Sequence, residues 1–127
     1  MFFQIDSRNG VPVYEQVARQ VTFAVANGAL QSGELVPSVR QLARELAINP
    51  NTVARAYRQL QDQEILESIR GTGMVIAQGA RPVCKSERTR ILRERIGSVI
   101  DEALQSQLTK DEINTLFKSE LGKKRGK

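Results

Sequence analysis

Asn51, Thr52, Arg55 and Gln59 fall on one side of a short segment whose other side carries Val53, Ala56, Tyr57 and Leu60 at helical spacing. Amide, hydroxyl and guanidinium groups on one helix face are the donors and acceptors that read base edges in a major groove. Hydrolytic chemistry needs instead a nucleophile beside a base, and the chain has no histidine to serve as the usual base. Its one cysteine, Cys84, excludes an internal disulfide and suits a reducing compartment. Arg81 and Lys85 near Cys84 would lower a thiol pKa, but with no histidine to pair with it the thiol reads as structural or incidental. The same scarcity of His and Cys argues against a transition-metal site. The expectation is a non-enzyme with no cofactor and no metal.

The stretch that must position this polar face runs from Gly33 to Leu60, GELVPSVRQLARELAINPNTVARAYRQL. Ser38 and Gln41 form an S-x-x-Q capping box at the start of a helix, in which Val39, Leu42, Ala43 and Leu46 make the apolar side. Ala47-Ile48-Asn49-Pro50 is a turn: Ile48 anchors it in the core, Asn49 caps the next helix, and Pro50 takes the first helical position. Two helices joined this way, with Asn51, Thr52 and Arg55 toward the exposed N-terminal half of the second, form a helix-turn-helix. A surface helix hairpin has the same pattern, and the flanking segments decide between the two.

Upstream, Phe2-Phe3-Gln4-Ile5 is a short extended lead-in. Pro12 then opens a helix carrying Tyr14, Val17, Val21, Ala24 and Val25 on one face, ended by Asn27-Gly28, which suits a left-handed cap. This helix reads as scaffold for the two that follow. Downstream, Ile65–Ile69 and Met74–Ala77 are strands around the turn Arg70-Gly71-Thr72-Gly73. A hairpin directly after a helix-turn-helix is a wing, with Arg70 at its tip and glycines that let backbone approach a phosphate or a minor groove.

The net charge of +5 fits a nucleic-acid partner, but its distribution matters more. Residues 1–80 hold seven Arg and seven Asp/Glu, so the excess comes from residues 81–127, with twelve Lys/Arg against seven Asp/Glu. The case for DNA therefore rests on where individual arginines sit. A charge-neutral winged domain is also compatible with an adaptor that binds a protein partner, which stands as the alternative function. No apolar run approaches membrane-spanning length and Met1-Phe2-Phe3 does not begin a signal peptide, so the expected location is cytoplasmic.

These segments together resemble the GntR superfamily of bacterial transcription regulators, and within it the YtrA-like subfamily. The resemblance covers residues 1–77 and lies in P-V-Y-E-Q at 12–16, N-G-A-L at 27–30 and G-E-L-V-P-S-V-R-Q-L-A at 33–43. It continues in N-P-N-T-V-A-R-A-Y-R-Q-L at 49–60 and R-G-T-G-M-V at 70–75. It implies a winged helix-turn-helix that binds a palindromic operator as a homodimer. Occupying the operator would block, or sometimes assist, transcription, and repression is the expected sense. Carried over by position, the resemblance implies DNA contact by Arg40, Asn51 and Thr52 and a wing tip at Gly71; Arg55 is added on physical grounds. The full set expected at DNA is Ser38, Arg40, Asn49, Asn51, Thr52, Arg55, Gln59, Arg70, Gly71 and Thr72. Ser32 replaces a usual proline, Val36 a leucine, and Glu64 the glycine that commonly ends the recognition helix. Glu is disfavoured in a left-handed conformation, so the helix cap or the wing angle is where this chain should differ.

Residues 78–85 read as a linker by composition. From Ser86 to about Gln107 a helical pattern places Leu92, Ile96, Val99, Ile100, Ala103 and Leu104 on one side. Thr109 and Glu112 form a capping box before Ile113, Leu116, Phe117 and Leu121, and Lys123 to Lys127 is a basic tail. Two helices of this size cannot enclose a core, so their apolar stripes point to dimerisation, with docking on the chain's own winged domain as the other solution. The predicted class is mostly α (α+β): a winged helix-turn-helix over 1–77 and a two-helix dimerisation appendage over 86–127. Its expected partners are double-stranded operator DNA, a second copy of the chain and an unidentified small-molecule effector, with no membrane.

Overall fold

The computed structural model describes residues 4–6 and 10–124. Their order is α1 (Val13–Ala26), α2 (Val39–Leu46), α3 (Pro50–Asp62), β1 (Leu66–Ile69), β2 (Gly73–Ile76), α4 (Ala80–Gln105) and α5 (Lys110–Lys123). Residues up to Thr89 form one compact unit and those from Arg90 a second, so α4 contributes to both. Phe2 and Phe3 of the expected lead-in, and Arg125 to Lys127 of the basic tail, lie outside the described residues; Gln4 and Ile5 form no strand.

In the first unit α1 packs across α3, and α3 packs against α2. Val17, Val21 and Val25 of α1 meet Leu42 and Ala43 of α2 and Val53, Ala56, Tyr57 and Leu60 of α3 in one buried cluster. Each apolar stripe expected from helical spacing thus faces inward, where burying a Val or Leu side chain is worth roughly 1.5–3 kcal/mol. Gln16 and Thr22 are the buried polar side chains among the described residues, both on α1. Gln16 also ties α1 to the segment before it. Its amide donates to the carbonyls of Asp6 (2.7 Å) and Val11 (2.9 Å), and its oxygen accepts from the Asp6 N–H (2.8 Å), which pins the chain ahead of α1.

The wing is a two-stranded antiparallel hairpin with Leu66 opposite Ile76 and Ile69 opposite Gly73. The segment before α2 adds a further row to it. Gly33 N–H donates to Ile76 O, Ile76 N–H to Glu34 O and Val36 N–H to Met74 O, with Leu35 bridged to Val75. Ser32, where the resemblance leads one to expect proline, donates its hydroxyl to Ala77 O at 3.2 Å, and Val36 is buried as a leucine there would be.

The stretch expected as a linker is different in the structure. Helix α4 starts at Ala80, upstream of the expected Ser86, so residues 80–85 are helical. Ala80 and Cys84 are one turn apart and completely buried in the core of the first unit, and the Arg81 Nε donates to Ala26 O at the end of α1. Composition suggested a linker because Gly79 and Pro82 are weak helix formers. A proline within the first turn of a helix, however, loses no intrahelical hydrogen bond.

Glu64 takes the left-handed conformation (φ +63°) that the usual glycine would supply, and its neighbours Gln63 and Ile65 keep the hydrogen bonds that turn α3 into β1. The end of α3 therefore takes the conformation a glycine would supply, and Glu64 carries the strain. An L-residue there costs on the order of 1–2 kcal/mol, so Glu64→Gly should raise stability by about 1 kcal/mol. The midpoint of chemical denaturation should rise with an unchanged slope; an unchanged or lowered midpoint would show that Glu64 is not strained.

Candidate nucleic-acid interface

The candidate surface is built from three local devices. Ser38 Oγ accepts from Gln41 N–H (3.1 Å) and starts α2; Gln41 does not return the bond, so the expected box is formed on the serine side alone. Ala47 then turns the chain in the left-handed conformation, with its N–H bonded to Arg44 O and that of Ile48 to Ala43 O. Asn49 Oδ1 accepts from Asn51 N–H (2.8 Å) and Pro50 occupies the first position of α3.

With Val53, Ala56, Tyr57 and Leu60 buried, Asn51 and Arg55 are exposed and Thr52 and Gln59 half-exposed on the other side of α3. Tyr57 is locked by its hydroxyl, which donates to Pro37 O at 2.8 Å. Burial of the phenol, and secondarily the nearby Glu45 carboxylate, pushes its pKa up. Asn49, Asn51, Thr52 and Arg55 line a shallow groove that Val13 and Tyr14 of α1 complete. The Arg55 guanidinium lies over the Tyr14 ring, 3.7 Å from its centroid. Tyr14 was expected as core, on a helix read as scaffold, and its place in this groove was missed; no spacing rule links residues 14 and 55.

Ser38 and Arg40 at the start of α2 are exposed, with Ser38 Oγ engaged in its cap. Arg70, Gly71 and Thr72 are exposed at the wing tip, and Gly71 has φ +81°, which a β-branched residue would resist. Each expected DNA-contacting side chain is therefore on the surface of the first unit, apart from the partial cover of Thr52 and Gln59.

Comparison with known proteins places the chain in a family. The profile described as "Bacterial regulatory proteins, gntR family" matches residues 13–76, from the start of α1 to the end of β2. The chain belongs to the GntR family. The HTH-type transcriptional repressor YtrA of Bacillus subtilis is 35% identical to it over 100 residues, covering 79% of this chain and 77% of the relative. A GntR family transcriptional regulator from Listeria monocytogenes superposes with a TM-score of 0.74 at 27% identity, covering 91% of this chain and 98% of that one. YtrA from Sulfolobus acidocaldarius, a GntR-family transcription factor, gives a TM-score of 0.58 at 28% identity, covering 98% of this chain and all of that one (100%). This GntR chain is of the YtrA-like type, a DNA-binding transcriptional regulator and not an enzyme. Among the described residues no helix is long and apolar enough to cross a membrane.

Cys84 bears on the chemistry the sequence left open. It is fully buried, and burial, followed by the Glu87 carboxylate, pushes its thiol up to about 11 from the ordinary value of 9.0. A thiol this reluctant to ionise is a poor nucleophile, and the basic neighbours Arg81 and Lys85 do not reverse the shift. The folded state binds the thiol proton more tightly than the unfolded one, so its contribution is complete below pH 9 and lost as pH rises toward 11. A disulfide reagent should label native Cys84 far more slowly than the denatured chain, and Cys84→Ala should flatten the stability loss over this pH window. Rapid native labelling would contradict the burial.

Proposed function

We propose that this GntR regulator represses transcription by binding a palindromic operator as a homodimer. The observation that carries the reading is the face of α3: Asn51, Thr52 and Arg55 stand clear of the core beside Asn49, on a helix whose other side is immobilised. Arg40 and the wing residues Arg70, Gly71 and Thr72 supply backbone contacts that set the register, while Asn51, Thr52 and Arg55 face base edges. The repressor sense follows the B. subtilis relative, whose name states it.

The second unit supports the dimer. Leu92, Ile96, Val99 and Leu104 of α4 and Leu116 and Phe117 of α5 are all exposed, between 38% and 55%, and Ile100 and Ala103 are half-buried between them. Ile113, expected in the same stripe, is buried within the chain instead and is not available to a partner. A row of large apolar side chains left in water is costly, and symmetric pairing would cover it on both chains. Two tethered winged domains would then read half-sites about one helical turn, or a whole multiple, apart.

Selection of bound duplexes from a random pool tests the reading, because it reports site, symmetry and spacing together. Arg55→Ala should relax preference at one position of each half-site at a cost of about 1–3 kcal/mol. Arg40→Ala should weaken all duplexes alike and lower the salt dependence by about one counterion. Equal loss on specific and random duplexes from Arg55→Ala would remove it from base readout. A salt-independent interaction would instead favour a protein partner.

Val99→Glu replaces a side chain that is 55% exposed, so the fold should tolerate it. It should convert a sedimenting dimer to a monomer that has lost sensitivity to half-site spacing. A dimer persisting at micromolar concentration would exclude this face. Charge substitution is preferable to truncation after Ala80, which would strip Cys84 and Arg81 from the winged core.

A further inference from the structure

We infer that Tyr14, on α1, is a positioning residue for base readout: its ring holds the Arg55 guanidinium flat and pre-aimed into the groove that it shares with Asn49, Asn51 and Thr52. The inference rests on the reading of Arg55 as a base-contacting side chain.

The geometry carries it. The guanidinium carbon lies 3.7 Å from the ring centroid, which is stacking distance. Among the described residues no carboxylate lies within ion-pair distance of Arg55, so the ring is its partner. Stacking occupies one face of the guanidinium and leaves the in-plane N–H donors free, and the in-plane edge is what pairs bidentately with a guanine. An arginine free in solvent must give up many rotamers to make that contact. One already laid on a ring has given up most of them before DNA arrives. Tyr14 is itself held: it is half-buried at the start of α1, packed against the core, and its hydroxyl donates to the adjacent Glu15 Oε1 at 3.3 Å. The first helix thereby enters recognition through Tyr14, although Val17, Val21 and Val25 on the same helix serve the core.

The stack needs the aromatic ring and not the hydroxyl, which separates this role from a structural one. Using the full chain and a duplex recovered by selection, discrimination against a base change at the Arg55 position is measured for the wild type, Tyr14→Phe, Tyr14→Leu, Arg55→Ala and the Leu/Ala double variant. Tyr14→Leu should lower discrimination ~2–5-fold at that position alone. Its affinity for random duplex and its salt dependence should not change. Tyr14→Phe should retain native discrimination, and the double variant should be no worse than Arg55→Ala.

Native discrimination in Tyr14→Leu, with loss in Arg55→Ala, overturns the positioning role and leaves Arg55 as a base reader. Equal loss in the Phe and Leu variants also overturns it, because the ring would then not be the operative group. Native discrimination in Arg55→Ala overturns the base-reading assignment and this inference with it. If Tyr14→Leu does not fold, the NMR signals of Arg55 in the unbound wild type and Tyr14→Phe decide. Upfield ring-current shifts are expected in both, and ordinary arginine shifts would overturn the stack.

Discussion

The burial of one side of α3 is the constraint on which the rest depends. A helix can offer Asn51, Thr52 and Arg55 to a duplex only if its other side is fixed, and Val53, Ala56, Tyr57 and Leu60 provide that fixation. Tyr57 is the central piece because it serves two purposes. Its ring fills the junction of the three helices, and its hydroxyl satisfies the carbonyl of Pro37, just ahead of α2. A buried phenol without such a partner would be expensive, so the bond that locks the helix also makes the tyrosine tolerable there.

The wing is coupled to this core through backbone. Hydrogen bonds between residues 33–36 and β2 make the loop ahead of α2 part of the same small sheet. The turn at Glu64 and Ile65 brings α3 into β1 with the carbonyls of Gln59, Leu60 and Gln61 satisfied. The hairpin is thus held from both sides, at the start of the helix-turn-helix and at its end. That is what allows a pair of four-residue strands, marginal by themselves, to carry Arg70 at a defined place. Glu64 shows how strongly the tertiary frame dictates this corner, since an unfavourable residue adopts the left-handed conformation and the frame does not bend around it.

The excess positive charge comes from residues 81–127, and the side chains proposed to contact DNA come from the neutral part of the chain. Bulk charge and recognition are therefore separate properties here. Arg81 illustrates the difference: it adds to the basic count, yet its guanidinium is directed to the carbonyl end of α1, where a cation is favourable against the helix dipole.

The local devices were legible in the sequence because each is decided within a few residues: the Ser38 and Asn49 caps, Pro50 at the first helical turn, the Thr109–Glu112 capping box, the apolar spacing of α1 to α3, and the wing turn at Gly71. Capping and spacing are short-range properties, and the side chains that satisfy them are adjacent in the chain. Tertiary structure alone decided the rest. It drew Ala80 and Cys84 into the winged core, because a helix begun at Ala80 tolerates Pro82 in its first turn and gains buried apolar contact there. It put Ile113 inside while leaving Leu116 and Phe117 out, a choice helical periodicity cannot make within one stripe. It also laid Arg55 on Tyr14, forty-one positions away in sequence (55 minus 14), because packing α1 across α3 brings their N-terminal turns together. Sequence determines which groups each helix can present; only the crossing of the helices determines which of those groups meet.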